Sequence, residues 1–330
     1  MIVDLHFHLE EGPYTFKWLT QTMKSLAAAH TPLQNLSPYT PSWAKLLGGL
    51  LSARLKQGCY TQEWLEHYLR AGRRRGVEVF GVVDHLYRFR ECKSYYEKHI
   101  ITDDSPLGEL QRDWLEQVCI ASLEDYVSFI QQMKRQYPEL LLGIEADYFA
   151  GGEEELSELL NMAAWDYTIG SVHFVNGWGF DNPATQDRFE KMEHFSSYQQ
   201  LFSQVQAAAR SGLFDIIAHP DNLKAFGFRP SDETLLMPLY EETARILAQS
   251  GVATEINTGL SYRYPVAEAC PSPLFLKVLS LHKVPITLSS DAHFPEHTGY
   301  LLPEARDMAR VAGYTEIVTF KERKRISVPL

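Results

Sequence analysis

The chain contains no long hydrophobic run, no basic surplus and no paired cysteines. A bilayer-spanning helix needs about 18 or more apolar residues in succession. The longest candidate, Leu46 to Leu51, is short and includes Gly48 and Gly49, so no membrane segment is expected. The opening Met1-Ile2-Val3-Asp4-Leu5-His6 has no basic stretch followed by an apolar core and does not read as an export signal. Cys59, Cys92, Cys119 and Cys270 are widely spaced and form no CxxC pair, which favours reduced, buried thiols in a cytoplasm over disulfides. Lys and Arg number 31 against 42 Asp and Glu, a formal charge of −11. Lack of basic excess argues against nucleic-acid or anionic-membrane partners. Repeats and low-complexity tracts are also absent. Apolar residues at 45% and charged residues at 22% of the 330 positions exclude disorder. The length is near the limit for one core, or enough for two modest domains.

What is present is an alternation of short apolar runs and longer amphipathic ones. The apolar runs are Ile2 to Leu5, Val77 to Val83, Leu140 to Ile144, Tyr167 to Val172, Phe214 to Ala218, Val252 to Ile256 and Val284 to Leu288. Each is almost continuously apolar, as in parallel strands buried on both faces. Helices are expected over Gln62–Arg75, Leu123–Gln136, Glu153–Asn161, His194–Ser211, Asp232–Gln249, Pro273–His282 and Pro303–Ala312. Ser122 and Ser231 are candidate helix starts, and Gly76, Gly212 and Gly251 fall where C-terminal caps belong. Seven βα units in sequence predict a parallel α/β barrel over residues 1–330, with an open doubly wound sheet as the alternative. Two connections, about 9–61 and 86–121, are too long for turns. The first includes an apolar helix-like piece, Trp43 to Leu55. Both follow strands, so both are expected over the C-terminal face.

Six of the twelve histidines stand at or just after predicted strand ends: His6, His8, His85, His173, His219 and His293. Glu145 and Glu255 end strands as well, and Asp291 lies two residues before His293. Strand ends converge in a barrel, so these side chains should meet. Protonated imidazoles crowded together would repel, and unpaired carboxylates would be poorly solvated. Divalent cations resolve both problems, and imidazole with carboxylate suits zinc, iron or manganese. Eight or nine candidate ligands exceed the need of one ion, so two or three are expected, with Glu145 able to bridge. Individually each residue has a plainer reading. His6-x-His8 is a weak pattern, His85 could be an ordinary hydrogen-bonded histidine, and Asp291 could cap a helix. The remaining histidines, His30, His67, His99, His194, His282 and His297, read as surface or helix-end residues.

Asp4-Leu5-His6-Phe7-His8, Val83-Asp84-His85, Gly143-Ile144-Glu145-Ala146-Asp147-Tyr148, Ser171-Val172-His173-Phe174, Ala218-His219-Pro220 and Ser290-Asp291-Ala292-His293 resemble the ordered motifs of the PHP (polymerase and histidinol phosphatase) superfamily. The Val172 to Asp181 segment, Glu255-Ile256-Asn257-Thr258-Gly259, the Glu268 to Ser272 stretch and the end from Phe320 to Lys324 followed by Pro329-Leu330 are similar to its histidinol-phosphatase branch. The resemblance implies a distorted (β/α)7 barrel and a metal-dependent phosphomonoesterase acting on L-histidinol phosphate in histidine biosynthesis. It also implies a division of ligands: His6, His8, Glu145 and Asp291 for one ion, Glu145, His173 and His219 for a second, and His85 with His293 for a third. Family members usually add a His or Asp to the third ion shortly after the HxH pair. Here only Glu10 and Glu11 are available, and Glu11 is the expected substitute.

Such a cluster would provide hydroxide near neutral pH to attack phosphorus. Asp291 and His293 are expected to ligate or to handle a proton. A phosphate also calls for a fixed cation. Arg263 is the first candidate, because its planar fork can hold two phosphate oxygens, and Arg88 and Arg90 are alternatives. Trp178, Phe180 and Asp181 are expected to wall the organic half, with Asp181 or Glu268 pairing an ammonium. Three other readings remain open: a different small phosphate such as a nucleotide or sugar phosphate, an amidohydrolase, and a noncatalytic metal-binding module. Amidohydrolases commonly place a lysine at the end of strand four, and this chain has none there.

Overall fold

The seven apolar runs form strands β1 (Ile2–Phe7), β2 (Val77–Val82), β3 (Leu140–Asp147), β4 (Tyr167–Ser171), β5 (Ile216–Ile217), β6 (Ala253–Asn257) and β7 (Ile286–Ser289). They are seen in a computed structural model that describes all 330 residues. The strands make one parallel sheet in chain order. The sheet curls until its first and last members meet: His8 N donates to Ala292 O at 2.8 Å and Asp291 N donates to His6 O at 2.7 Å. The result is the expected nearly closed barrel. β3, β4, β6 and β7 are buried along their whole lengths, because helices cover the outside and side chains fill the inside. Tyr167 crosses the interior, and its hydroxyl donates to Leu5 O at 2.7 Å. Gly81 and Gly143 lie against that ring, and a Cβ at either would overlap it.

The expected helices are present with ends shifted by a few residues, from Gln62–Arg74 to Leu302–Ala312. Ser122 caps its helix by accepting from Asp125 N at 3.3 Å, where it satisfies an otherwise unpaired first-turn N–H. Ser231 does not. Asp232 takes that role at the start of a 3₁₀ turn, Glu233–Leu236, which runs into the α-helix Met237–Ser250. Gly76, Gly212 and Gly251 adopt positive φ of 81°, 71° and 70°, the left-handed cap conformation that glycine adopts without strain.

The long connections are helical. The first holds helices Phe16–Ala29, Thr31–Gln34 and Pro41–Gln57, and the second holds Lys93–His99 and Pro106–Val118. Ser25 donates to Glu296, just beyond β7, at 2.7 Å. Tyr95 and Tyr96 donate to Asp147, at the end of β3, at 3.0 and 2.9 Å. Both inserts therefore stand on the C-terminal side of the barrel. The chain closes with an antiparallel hairpin, β8 (Glu316–Lys321) and β9 (Lys324–Pro329), which was not expected as strand. All four cysteines are free and buried. No helix is long and apolar enough to cross a membrane.

Candidate metal centre and substrate cavity

The residues at the strand ends do converge, and Glu145 is their hub. Its Oε2 lies 3.1 Å from His6 Nε2, 3.0 Å from His85 Nε2 and 3.6 Å from His8 Nε2. Its Oε1 lies 3.2 Å from His219 Nε2 and 3.5 Å from His173 Nε2. His8 Nε2 is also 3.3 Å from Asp291 Oδ1, and His6 and His8 face each other at 3.1 Å through their Nε2 atoms. Donors sharing a tetrahedral ion with bonds near 2.0–2.1 Å sit about 3.3 Å apart, so these spacings suit common ligation. Local geometry at two positions is unusual: His219 and Asp291 hold positive φ of 23° and 52°. Non-glycine residues adopt such angles at a cost, and they cluster at functional sites.

Proton placement tests the fit to cations. His6 Nδ1 lies 3.0 Å from Glu255, His85 Nδ1 lies 2.8 Å from Glu10, and His173 Nδ1 lies 2.8 Å from Asp147. An ionised carboxylate only accepts, so each Nδ1 carries the proton. The three Nε2 lone pairs are thereby turned towards Glu145, which also only accepts. Protons or metal ions must lie between them. Carboxylate–histidine pairs of this kind orient metal-ligating imidazoles. Electrostatics agree. Burial pushes His85 down, yet Glu10 and Glu145 outweigh it and hold the ring up at about 10. Burial opposes His173 likewise, and Asp147 with Glu145 raises it to about 9. His6 is held well above the ordinary range against burial by Glu255, Glu145 and Asp291. Burial would raise Glu145, but His6 and His85 keep it well below the usual carboxylate range. His8 goes the other way, to about 4, through burial and the neighbouring His85 charge. Without metal the cluster is held together by protons that divalent cations would replace.

The third group differs from expectation. Asp84 Oδ1 accepts from the backbone N–H groups of Leu9 at 2.7 Å and Glu10 at 3.2 Å. Glu10 is buried in the cluster, whereas Glu11 is engaged elsewhere. The Glu11 carboxylate instead pairs with Arg54 at 2.6 Å and accepts from the Tyr14 hydroxyl at 2.8 Å. Donor atoms of His8, Glu10, His85 and His293 lie within 4.8 Å of one another, so Glu10 is the carboxylate placed to complete that group. Sequence reasoning also missed Asp147, whose place two residues beyond Glu145 on β3 was the available signal.

A cavity of about 150 Å³ opens on the cluster, lined by His85, His173, His219, Asp291 and His293 together with Tyr87, Asp181, Asn222, Arg263 and Tyr264. Arg263 is its only lysine or arginine. The guanidinium pairs with Asp291 through Nη2 and reaches His293 Nδ1 at 3.1 Å. Asp291 also accepts from Asn257 Nδ2 at 3.2 Å. Arg88 is not in the cavity; it is buried and pairs with Glu10 at 3.1 Å. Arg90 donates to Ile120 O. Trp178 is not a wall of this cavity either. It lines a separate one of about 810 Å³ with Ile101 and Leu107, because the hairpin Phe174–Val175/Trp178–Gly179 turns its ring away. Glu268 is occupied by Lys224 at 2.7 Å and Arg229 at 2.9 Å and is not free for an ammonium. Asp181 does line the cavity, and burial raises its carboxyl.

The PHP domain profile matches residues 59–259, which carry His85, Glu145, His173 and His219. The chain belongs to the PHP domain family. Among PHP relatives, the probable histidinol-phosphatase of Deinococcus radiodurans is 37% identical over 210 residues, covering 62% of this chain and 78% of its own. The histidinol-phosphatase of Lactococcus lactis is 23% identical over 214 residues, covering 62% and 77%. The crystal structure of histidinol phosphate phosphatase from L. lactis, complexed with zinc, L-histidinol and phosphate, superposes with a TM-score of 0.62 at 17% identity, covering 79% of this chain and 92% of that one. The putative histidinol phosphatase of Listeria monocytogenes gives a TM-score of 0.59 at 17% identity, covering 72% and 91%. At those identities the superpositions speak to the fold, which is the PHP barrel.

Proposed function

We propose that this PHP chain, taken over residues 1–330 as one barrel unit, hydrolyses L-histidinol phosphate to L-histidinol and phosphate. The observation that carries the reading is Glu145 set among five imidazoles, three of which, His85, His173 and His219, line a cavity whose only lysine or arginine is Arg263. The 37% identity to a probable histidinol-phosphatase supports the choice of substrate. His6, His8, Glu145 and Asp291 would hold one divalent ion, Glu145, His173 and His219 a second, and Glu10, His85 and His293 a third. Zinc, iron or manganese bound there would polarise phosphoryl oxygens and make hydroxide available near neutral pH.

The chain's own side chains do the rest. Arg263 presents a planar fork to phosphate oxygens and offsets their charge. Asp291, bound to Arg263 and Asn257, is locked in place. Burial and the nearby Arg263 charge hold the His293 ring well below the ordinary imidazole range, so His293 serves as a ligand of the third ion. That ion together with Arg263 would offset charge on the departing alkoxide. Of the two carboxylates lining the cavity, Asp291 is tied to Arg263, and Asp181 is left to meet the substrate ammonium. Tyr87 and Tyr264 offer aromatic walls for its ring. Four reduced thiols suit a cytoplasmic enzyme, and an acidic chain suits a small anionic substrate drawn to a local cationic site better than a polyanion.

A panel of phosphomonoesters assayed with added metal tests this. We expect kcat/KM for L-histidinol phosphate to exceed that for nucleotide and sugar monophosphates by about tenfold or more, a difference of at least ~1.4 kcal/mol. A flat profile would reject the substrate and leave a general phosphomonoesterase.

A further inference from the structure

Behind the cavity wall sits a buried lysine that touches no cluster residue. Lys224 is 2% exposed. Its ammonium donates to Asp221 Oδ2 at 2.9 Å, Glu268 Oε1 at 2.7 Å and Ala269 O at 2.8 Å, three acceptors for three protons. Asp221 Oδ2 also accepts from Ser272 N at 2.8 Å, and the second Glu268 oxygen takes Arg229 at 2.9 Å. Two loops are joined this way. One follows β5 and presents His219, Asn222 and Ala225 to the cavity; the other follows β6 and presents Leu260, Arg263 and Tyr264. Ala225, Leu260 and Cys270 pack together between them. Neither Lys224 nor Glu268 lines the cavity itself.

A buried ion pair is a weak source of stability, since well-packed apolar side chains of similar volume often do as well. What it does supply is fixed geometry, because each charge is costly to leave unpaired. We propose that Lys224 and Glu268 are positioning residues: they set the separation between Asn222 and Ala225 on one loop and Arg263 and Tyr264 on the other, and so the fit of the phosphate ester. This rests on the phosphatase reading of the same cavity, and it gives the Glu268 to Ser272 stretch a role other than ammonium binding.

The test uses the full-length, metal-loaded protein and the variants Lys224→Met and Glu268→Gln, with Lys134→Met as a control. Lys134 also pairs with an aspartate, Asp166, at a more exposed position, and neither residue lines the cavity. KM and kcat for L-histidinol phosphate, the Kd for inorganic phosphate, metal per chain and thermal unfolding are measured together. Glu268→Gln should raise KM and phosphate Kd about threefold, and Lys224→Met about tenfold or more, with kcat within about twofold and metal content unchanged. Lys134→Met should lower Tm and leave KM alone. Unchanged phosphate Kd and KM in folded Glu268→Gln would overturn the proposal, as would loss of metal or a fall in kcat alone. Should Lys224→Met fail to fold, Glu268→Gln decides, since its side chain is partly exposed. Should the wild type ignore L-histidinol phosphate, the substrate reading fails by itself and the phosphate Kd still decides the positioning role.

Discussion

Three imidazoles of the cluster, those of His6, His85 and His173, are specified twice, by Glu145 facing Nε2 and by a second carboxylate at Nδ1. Glu255 does this for His6 at 3.0 Å and accepts from Ser289 Oγ at 2.7 Å. Replacing it with Gln keeps the shape but removes an acceptor that only accepts, so the His6 tautomer is no longer fixed. Glu255→Gln should weaken metal affinity about 10- to 100-fold, read from competitive metal titration; unaltered affinity would mean that His6 is not a ligand. At Arg263, substitution by Lys keeps the charge but loses the fork. Arg263→Lys should lower kcat/KM by about ten- to hundredfold, or ~1.4–2.7 kcal/mol, in steady-state assays, with wild-type values counting against phosphate contact. Residue type and strand-end position make the convergence of His6, His8, His85, Glu145, His173, His219, Asp291 and His293 legible in the sequence. The choice between Glu10 and Glu11 was not legible. Adjacent residues point in different directions, and which one turns inward depends on how the chain leaves β1, where Asp84, a residue from another strand, holds two backbone N–H groups.

Strands were the most readable elements, because burial on both faces writes itself as continuous apolar sequence. Their lengths were less so: Phe214 to Ala218 contributes only Ile216–Ile217 to the ladder. The insert helices were less legible because their surroundings, not an internal stripe alone, decide them. Pro41–Gln57, for example, buries only Leu47 and Arg54. The seam that closes the barrel also depends on a distant contact. Asp4, in β1, accepts from Ser290 N at 2.9 Å, Ser290 Oγ at 2.6 Å and Gly299 N at 2.8 Å, pinning the segment after β7 to β1. Burial pushes its carboxyl up to about 6, and these donors only partly offset that. The folded state therefore holds this proton more tightly than the unfolded chain, whose value is near 3.8. Stability from this group is full below the unfolded value and falls as pH rises towards about 6, by about 3 kcal/mol in all. Asp4→Asn lacks that titration. In urea unfolding of the metal-free protein, wild type should lose about 2–3 kcal/mol relative to Asp4→Asn between pH 4 and 7. Parallel curves would show that Asp4 does not carry this cost.

Across the whole molecule the formal charge is −11, yet some of that acid lies at the barrel mouth among histidines. Glu10, Glu145 and Asp291 are buried there and held well below the ordinary carboxylate range: burial opposes each, and Arg88, His6 and Arg263 respectively lead the groups that outweigh it. Two or three divalent ions would add about +4 to +6 to this small volume. An acidic exterior and an electropositive cavity can thus coexist, which is the condition for taking a small phosphate while repelling a polyanion. The same ions should tie strand ends from around the barrel into one unit, since the proposed ligands come from β1, β3 and the segments after β1, β2, β4, β5 and β7. An ion that binds only the folded chain stabilises it by about 2.7 kcal/mol at one hundred times its Kd, and a kilocalorie moves Tm by about 2–4 °C in a chain of this class. Chelation should therefore lower Tm by about 5–20 °C, with recovery on adding zinc, manganese or ferrous iron. Metal uptake by the stripped protein near pH 7 should also release protons, because the raised His6, His85 and His173 give theirs up to the incoming ion. Calorimetric titration in buffers of different ionisation enthalpy measures that release. In Glu145→Gln both responses should shrink together, since its bridging charge is gone. A wild-type Tm indifferent to chelator, with no protons released on metal addition, would mean that protons rather than metals hold the cluster together.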